Sequence, residues 1–227
     1  MFSYAPLLLL ALSVMGIASA PLQRVRHLDT SISIEQPIKH GGVCRLSLVT
    51  QSQEIAQEQA RRILIESFVQ EYQQYLQPSD LDSHVTCWRP TAGLYSAEEY
   101  YSNYFDSEYH EYLSGRLLWV QAFLKDRLAG WATFEVEKNG HLYMNLLVVD
   151  PALKGQGIGA ALVWALHHME AVSPETPIHL LLRKKNLGGH IFYSKIGFHY
   201  DSSYQRADNF VDLQLLEGWT GTISQQP

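Results

Sequence analysis

The sequence predicts an α/β (α+β) fold: a mixed, mostly antiparallel sheet of six to seven strands flanked by helices. Three observations predict it. An apolar run, Leu146 to Val149, is stopped by Asp150-Pro151 and leads through a loop with three alternate glycines into a strong helix former, Ala160 to Met169. Asn139-Gly140, set between two strand-like runs, is the best short hairpin signal in the chain. A second apolar run, Ile178 to Leu182, follows that helix, and a strand reached through a crossover helix returns parallel to the first.

The elements justify the class in turn. Val43 to Thr50 alternates as a first strand. Ser52 can cap a helix over Glu54 to Leu76, whose Ile55, Ala56, Ala60, Ile63, Leu64, Phe68, Tyr72, Tyr75 and Leu76 form a stripe of period 3.6 that Pro78 ends. Residues 79–95 read as loop. Ser96 and Glu99 make a capping box for a helix reaching about Leu113. It carries Tyr100, Tyr101, Tyr104, Phe105, Tyr109 and Tyr112, either packed on the sheet or walling a site that is wet on one side. Glu108 and His110 on it are expected to be solvated. A meander follows: a strand over Leu117 to Lys125, a turn at Asp126-Arg127, strands over Ala129 to Glu137 and His141 to Val149. Phe198 to Tyr204 and Asn209 to Leu216 are expected to close the sheet as a pair.

Composition allows one globular domain, taken as 43–217, with a connector over 21–42, expected to be irregular, and a polar tail over 218–227. Hydrophobic residues make up 46% and charged residues 18%, enough for a sizeable core. A net charge of −6 argues against a general nucleic-acid binder and leaves amine-bearing partners open. Residues 1–20 join an apolar run, Leu7 to Ile17, to Ala18-Ser19-Ala20, the pattern of a signal peptide with an A-x-A cleavage site, although the segment before the run has no Lys or Arg. The alternative is an ordinary apolar N-terminal segment, so the expected location is outside the cell in the first case and cytoplasmic in the second. The run is too short for a stable membrane span. Cys44 and Cys87 read as two buried small residues, or as a disulfide pair if the chain is exported. No C-x-x-C or His/Cys cluster has zinc-ligand spacing, and the adjacent His167 and His168 point about 100° apart on a helix, so no metal is expected. Oligomeric state is open.

The glycine loop carries the chemistry. Amides in the first turn of the helix that begins there lack intrahelical partners and carry the positive end of the dipole, and glycines let a ligand approach the main chain. That makes a cradle for a diphosphate. A Walker loop is excluded, because Gly-Lys-Ser/Thr is missing. Gly155, Gly157 and Ala160 match G-x-G-x-x-A on paper. A dinucleotide fold, however, wants its glycines immediately after the strand and an acidic residue ending the next one. Here Asp150 to Lys154 intervene, and the next run ends in Arg183.

The segment Lys154-Gly155-Gln156-Gly157-Ile158-Gly159-Ala160 instead resembles motif A of the GCN5-related N-acetyltransferases, with Lys154 where that family has Arg or Gln. Asn186-Leu-Gly-Gly189-His-Ile-Phe192-Tyr193 and the closing Gly197-Phe198 are similar to its motif B. The resemblance covers about 44–217 and is best over 141–198. It implies central strands splayed at their C-terminal ends and acetyl-CoA as co-substrate. In such a fork Leu147, Val148 and Val149 line the pantetheine arm, with Leu147 and Val149 offering it main-chain groups. Lys154, Gly155, Gln156, Gly157, Ile158, Gly159 and Ala160 hold the diphosphate, and Asn186 hydrogen-bonds near the arm or the neighbouring strand.

The implied reaction is acetyl transfer to an amine of a small molecule, peptide or protein, by direct attack in a ternary complex. The amine must lose a proton, since an alkyl ammonium has a pKa near ~10.4. A main-chain N–H near Leu147 can meet the oxyanion. The resemblance assigns Tyr193 the proton for the departing thiolate. Many relatives carry a carboxylate on the strand before motif A, and His141 to Val149 has none. Glu135, Glu137, His141 or a water held by Tyr143 and Asn145 are the candidates, the water route preferred. The missing carboxylate keeps a second class open, a non-catalytic acyl-CoA-binding or sensor module on the same fold.

Overall fold

The computed structural model describes residues 33–39, 42–49, 56–75, 97–183, 186–200 and 213–218. The expectations for residues 1–20, for Cys87 and for the helix caps at Ser52 and Ser96 lie outside them. The strands are β1 (Ser33–Pro37), β2 (Val43–Val49), β3 (Leu117–Leu124), β4 (Arg127–Val136), β5 (Leu142–Val149), β6 (Ile178–Arg183), β7 (His199–Tyr200) and β8 (Leu213–Gly218). The helices are α1 (Gln57–Tyr75), α2 (Ala97–Leu113), α3 (Ile158–Val163), α4 (Ala165–His168) and α5 (Leu187–Lys195). One mixed sheet runs in the order β1-β2-β3-β4-β5-β6-β8-β7, antiparallel except between β5 and β6.

Three expectations change. Ser33–Pro37, assigned to an irregular connector, is an edge strand paired with β2 from Ser33↔Ser47 to Pro37↔Val43, and it brings the strands among the described residues to eight. Its alternation is weak and it ends in Pro, which only an edge tolerates. The β3–β4 turn sits at Lys125-Asp126, both with positive φ (49° and 60°), one residue before the expected turn. The helix after the glycine loop is two short pieces. They part at Trp164 (φ −95°, ψ 7°), whose buried indole lies 5.5 Å from the Phe198 ring.

Each face of the sheet buries its own core. One core joins Leu46, Val120, Phe134, Leu142 and Met144 to α3, α4, Tyr193 and Phe198. The other joins Trp119, Trp131, Leu146 and Val148 to α1 and α2. Trp119 and Trp131 stack with centroids 4.4 Å apart, Phe105 meets both edge-on, and Trp131 Nε1 donates to the Ala60 carbonyl at 3.0 Å. Tyr101, Phe105 and Tyr112 of α2 are therefore core residues, whereas Tyr104 and Tyr109 are half-buried at its margin. Membership of β5 in both cores follows from a bulge. Its register with β4 steps from Phe134↔Met144 to Thr133↔Leu146, so Asn145 has no partner and the faces exchange beyond it. Cys44 is fully buried, and burial pushes its thiol up to about 11, which makes it inert. Among the described residues no helix is long and apolar enough to cross a membrane.

Candidate active site

The sheet opens at its centre. β5 and β6 share two rungs, Leu142↔Ile178 and Tyr143↔His179. Beyond them β5 stays with β4 and β6 stays with β8, so the two strands diverge toward their C-terminal ends. Asp150 N–H donates to the Ala129 carbonyl at 2.9 Å. Peptide groups alternate in direction along a strand, so Leu147 and Val149 turn theirs away from β4 and into the fork. Ser67 Oγ on α1 donates to the Val149 carbonyl at 2.7 Å, which leaves that oxygen one further lone pair. Val148, between them, is buried under α1 and α2 and anchors the strand.

Asp150 ends β5 by using both its oxygens. One accepts from Ala152 N at 2.9 Å, and the other pairs with Arg127. A 3-10 turn, Pro151–Leu153, then delivers the exposed Lys154 and Gly155. The three glycines serve different purposes. Gly155 (φ 81°) and Gly157 (φ 91°) adopt backbone that L side chains resist, with open space beside Gly155. A Cβ on Gly159 would instead lie 3.2 Å from the Phe192 ring and 3.6 Å from Val149 Cγ2, so that glycine seats α3 against α5 and the end of β5. Gly157 caps α3, and the first intrahelical bond runs from Ala161 N to its carbonyl, leaving the amides of Ile158, Gly159 and Ala160 without intrahelical acceptors. Ile158 itself is buried and holds the turn down. The Gln156 carbonyl accepts from Lys39 N at 2.9 Å, tying the segment after β1 to this loop.

Motif B packs beside motif A. Phe192 touches the Gly159 position, and Tyr193, 8% exposed, lies between Phe192 and Phe198 with centroids 4.9 and 5.3 Å away. The side-chain oxygen of Asn186 accepts from Gly189 N at 2.7 Å and caps α5. A Cβ on Gly189 would come within 2.9 Å of Asn186 Nδ2 and Leu182 Cδ1, two side-chain ends that would have to shift to admit it.

The sequence misplaced one carboxylate. Glu108, expected in solvent, is 7% exposed and accepts from Thr133 Oγ1 at 2.8 Å. Burial, chiefly, and the nearby charges of Glu111 and Glu135 push its carboxyl up to about 7, against the lowering pull of hydrogen bonds from Thr133 and Tyr104. Thr133 of β4 stands opposite Leu146 of β5, next to the bulge, so Glu108 is held one strand away from the fork. The signal was in the stripe: Tyr101, Phe105, Glu108 and Tyr112 recur at helical spacing on one face. His110 is exposed, as expected.

A family model described as the acetyltransferase (GNAT) family matches residues 58–198, well over half of the chain. The chain belongs to the GNAT acetyltransferase family. The fold agrees. The PaiA N-acetyltransferase of Thermoplasma acidophilum, solved in complex with coenzyme A, superposes with a TM-score of 0.55 at 18% identity, over 78% of this chain and 98% of that one. PH1933 from Pyrococcus horikoshii OT3 gives a TM-score of 0.50 at 16% identity, over the same shares of the two chains. No curated protein matches by sequence. In this GNAT chain the fork, the glycine loop and Tyr193 are contiguous through Val149, Gly159 and Phe192.

Proposed function

We propose that the protein transfers the acetyl group of acetyl-CoA to an amine of a small molecule, peptide or protein. The observation that carries this is the fork: main-chain groups of Leu147 and Val149 face a gap that ends in a positive-φ glycine loop, within a GNAT chain. A strand edge of that kind suits a ligand bearing amides in an extended arm. Amides of Ile158, Gly159 and Ala160 without intrahelical acceptors, in a loop that also carries the exposed Lys154, suit a diphosphate. A coenzyme A complex of the Thermoplasma protein supports the same choice of cofactor. Acetyl-CoA, when bound, supplies the thioester.

The chain's own groups then divide the work. Glu108 takes the proton of the incoming ammonium, through water, from the face of β4 covered by α2. A carboxyl poised near neutrality is matched to that task. A main-chain N–H beside the bulge meets the developing oxyanion. Tyr193 holds a proton for the departing thiolate, whose conjugate thiol has a pKa of about 8.5. Glu108 also weighs against a binding-only module, since α2 supplies the carboxylate that β5 lacks.

The test pairs calorimetry of CoA and acetyl-CoA with thiol release against a panel of amines, using protein that begins at Pro21. Binding plus amine-dependent thiol release is expected, and Tyr193→Phe should lower turnover at least about 10-fold with CoA affinity unchanged. Absence of binding by either thioester or thiol would overturn the proposal. Binding without transfer to any amine would leave the sensor module as the function.

A further inference from the structure

We infer that Glu137, His141 and His179 form a site for a divalent first-row transition metal, with zinc the best match. Glu137 directly follows β4, His141 directly precedes β5, and His179 is the second residue of β6. The Asn139-Gly140 turn folds Glu137 back on His141, with Glu137 N–H donating to the His141 carbonyl at 2.9 Å. The rungs Leu142↔Ile178 and Tyr143↔His179 bring β6 alongside. One ligand atom from each residue then lies within 4.8 Å of the other two.

The arrangement does not read as a hydrogen-bonded cluster. His179 Nδ1 and Glu137 Oε2 are 3.9 Å apart, beyond hydrogen-bond reach, and the two imidazole rings cross at 68° with centroids 4.8 Å apart. His141 Nδ1 is sealed from solvent and has no hydrogen-bond partner among the described residues. A buried polar atom left unsatisfied costs about 1–3 kcal/mol, and a metal ion would satisfy it. Two imidazoles and a carboxylate are the donor set that suits zinc. Bonds of about 2.0–2.2 Å would draw the donor atoms to about 3.4 Å from one another, which side-chain rotation of roughly an ångström achieves. All three residues are half-buried, so a fourth position stays open to water.

The site sits at the root of the fork, where the parallel pair is held by only two rungs. A bound ion would clip β4, β5 and β6 together there. The inference does not rest on acetyl transfer, and its test does not read activity. The full chain is stripped with a chelator and titrated with zinc by calorimetry and with cobalt(II) by visible absorption. One equivalent, a tetrahedral cobalt spectrum and a rise in Tm with zinc are expected. His141→Gln and Glu137→Gln, each checked for folding by circular dichroism, should weaken zinc by more than the roughly 10–100-fold that an outer-shell partner is worth. His168→Gln, on the exposed side of α4, should bind as the wild type does. No stoichiometric zinc, or zinc affinity unchanged in the folded His141→Gln and Glu137→Gln proteins, would overturn the inference.

Discussion

Glu108 joins a structural cost to a chemical use. Its carboxyl titrates at about 7 in the folded chain against an ordinary 4.5. A group whose folded pKa is raised contributes its full stability below the unfolded value, and that contribution is lost as pH rises through the folded one. Ionising Glu108 therefore destabilises the protein between pH 4.5 and about 7, by up to about 3 kcal/mol for this burial. Glu108→Gln keeps an acceptor for Thr133 and cannot ionise. Its unfolding free energy, measured by urea titration, should match the wild type near pH 4, exceed it increasingly to pH 7, and hold that margin above. The same variant should lose about 100-fold or more in acetyl transfer at pH 8, and the wild-type rate should climb as pH rises through 7. A variant that is more stable at pH 8 yet fully active would remove Glu108 from the chemistry.

At the scale of elements, what was legible depended on periodicity. The stripe of α1, the meander and the strand–glycine loop–helix unit carry regular patterns and occur in the expected order, with the β3–β4 turn one residue early and the helix divided at Trp164. β1 has one apolar side chain, Ile34, and a closing Pro37, so neither period nor propensity marked it. The Glu137, His141 and His179 cluster was invisible because His179 lies far along the chain from the Glu137–His141 turn, and only the β5–β6 rungs bring it alongside. Asn186 has a role the sequence reading did not include, as the cap of α5. Its side chain and Gly189 N close the first turn of α5, the helix that holds Tyr193. Asn186→Ala should cost about 1 kcal/mol of stability through the lost cap. Asn186→Asp, which caps as well, should restore that stability and keep CoA affinity, read by thermal unfolding and calorimetry. A loss of CoA affinity in the stable Asp variant would return Asn186 to the cofactor.

Across the whole molecule, the site is assembled from one edge of the sheet and from its centre. β1 is one edge strand, yet the residues that follow it reach the loop after β5, where Lys39 N–H donates to the Gln156 carbonyl. Lys39 main chain also lies 3.6 Å from the place a Gly157 Cβ would take. Ile38 turns back to β2 through its bond to the Gly42 carbonyl at 2.9 Å and packs on the core under α3. The glycine loop is thus held from two sides: by Asp150 with Arg127 at its start, and by this strap at Gln156. Holding matters because a loop whose glycines have φ of 81° and 91° samples many conformations when free, and a diphosphate selects one. Lys39→Pro deletes the donor while leaving the paired rungs of β1 in place. CoA affinity should fall several-fold, with melting temperature lowered by no more than a few degrees. Lys39→Ala keeps the amide and should bind CoA as the wild type does. Equal weakening in both would instead assign the effect to the ammonium, and no weakening in either would leave the strap without a role in cofactor binding.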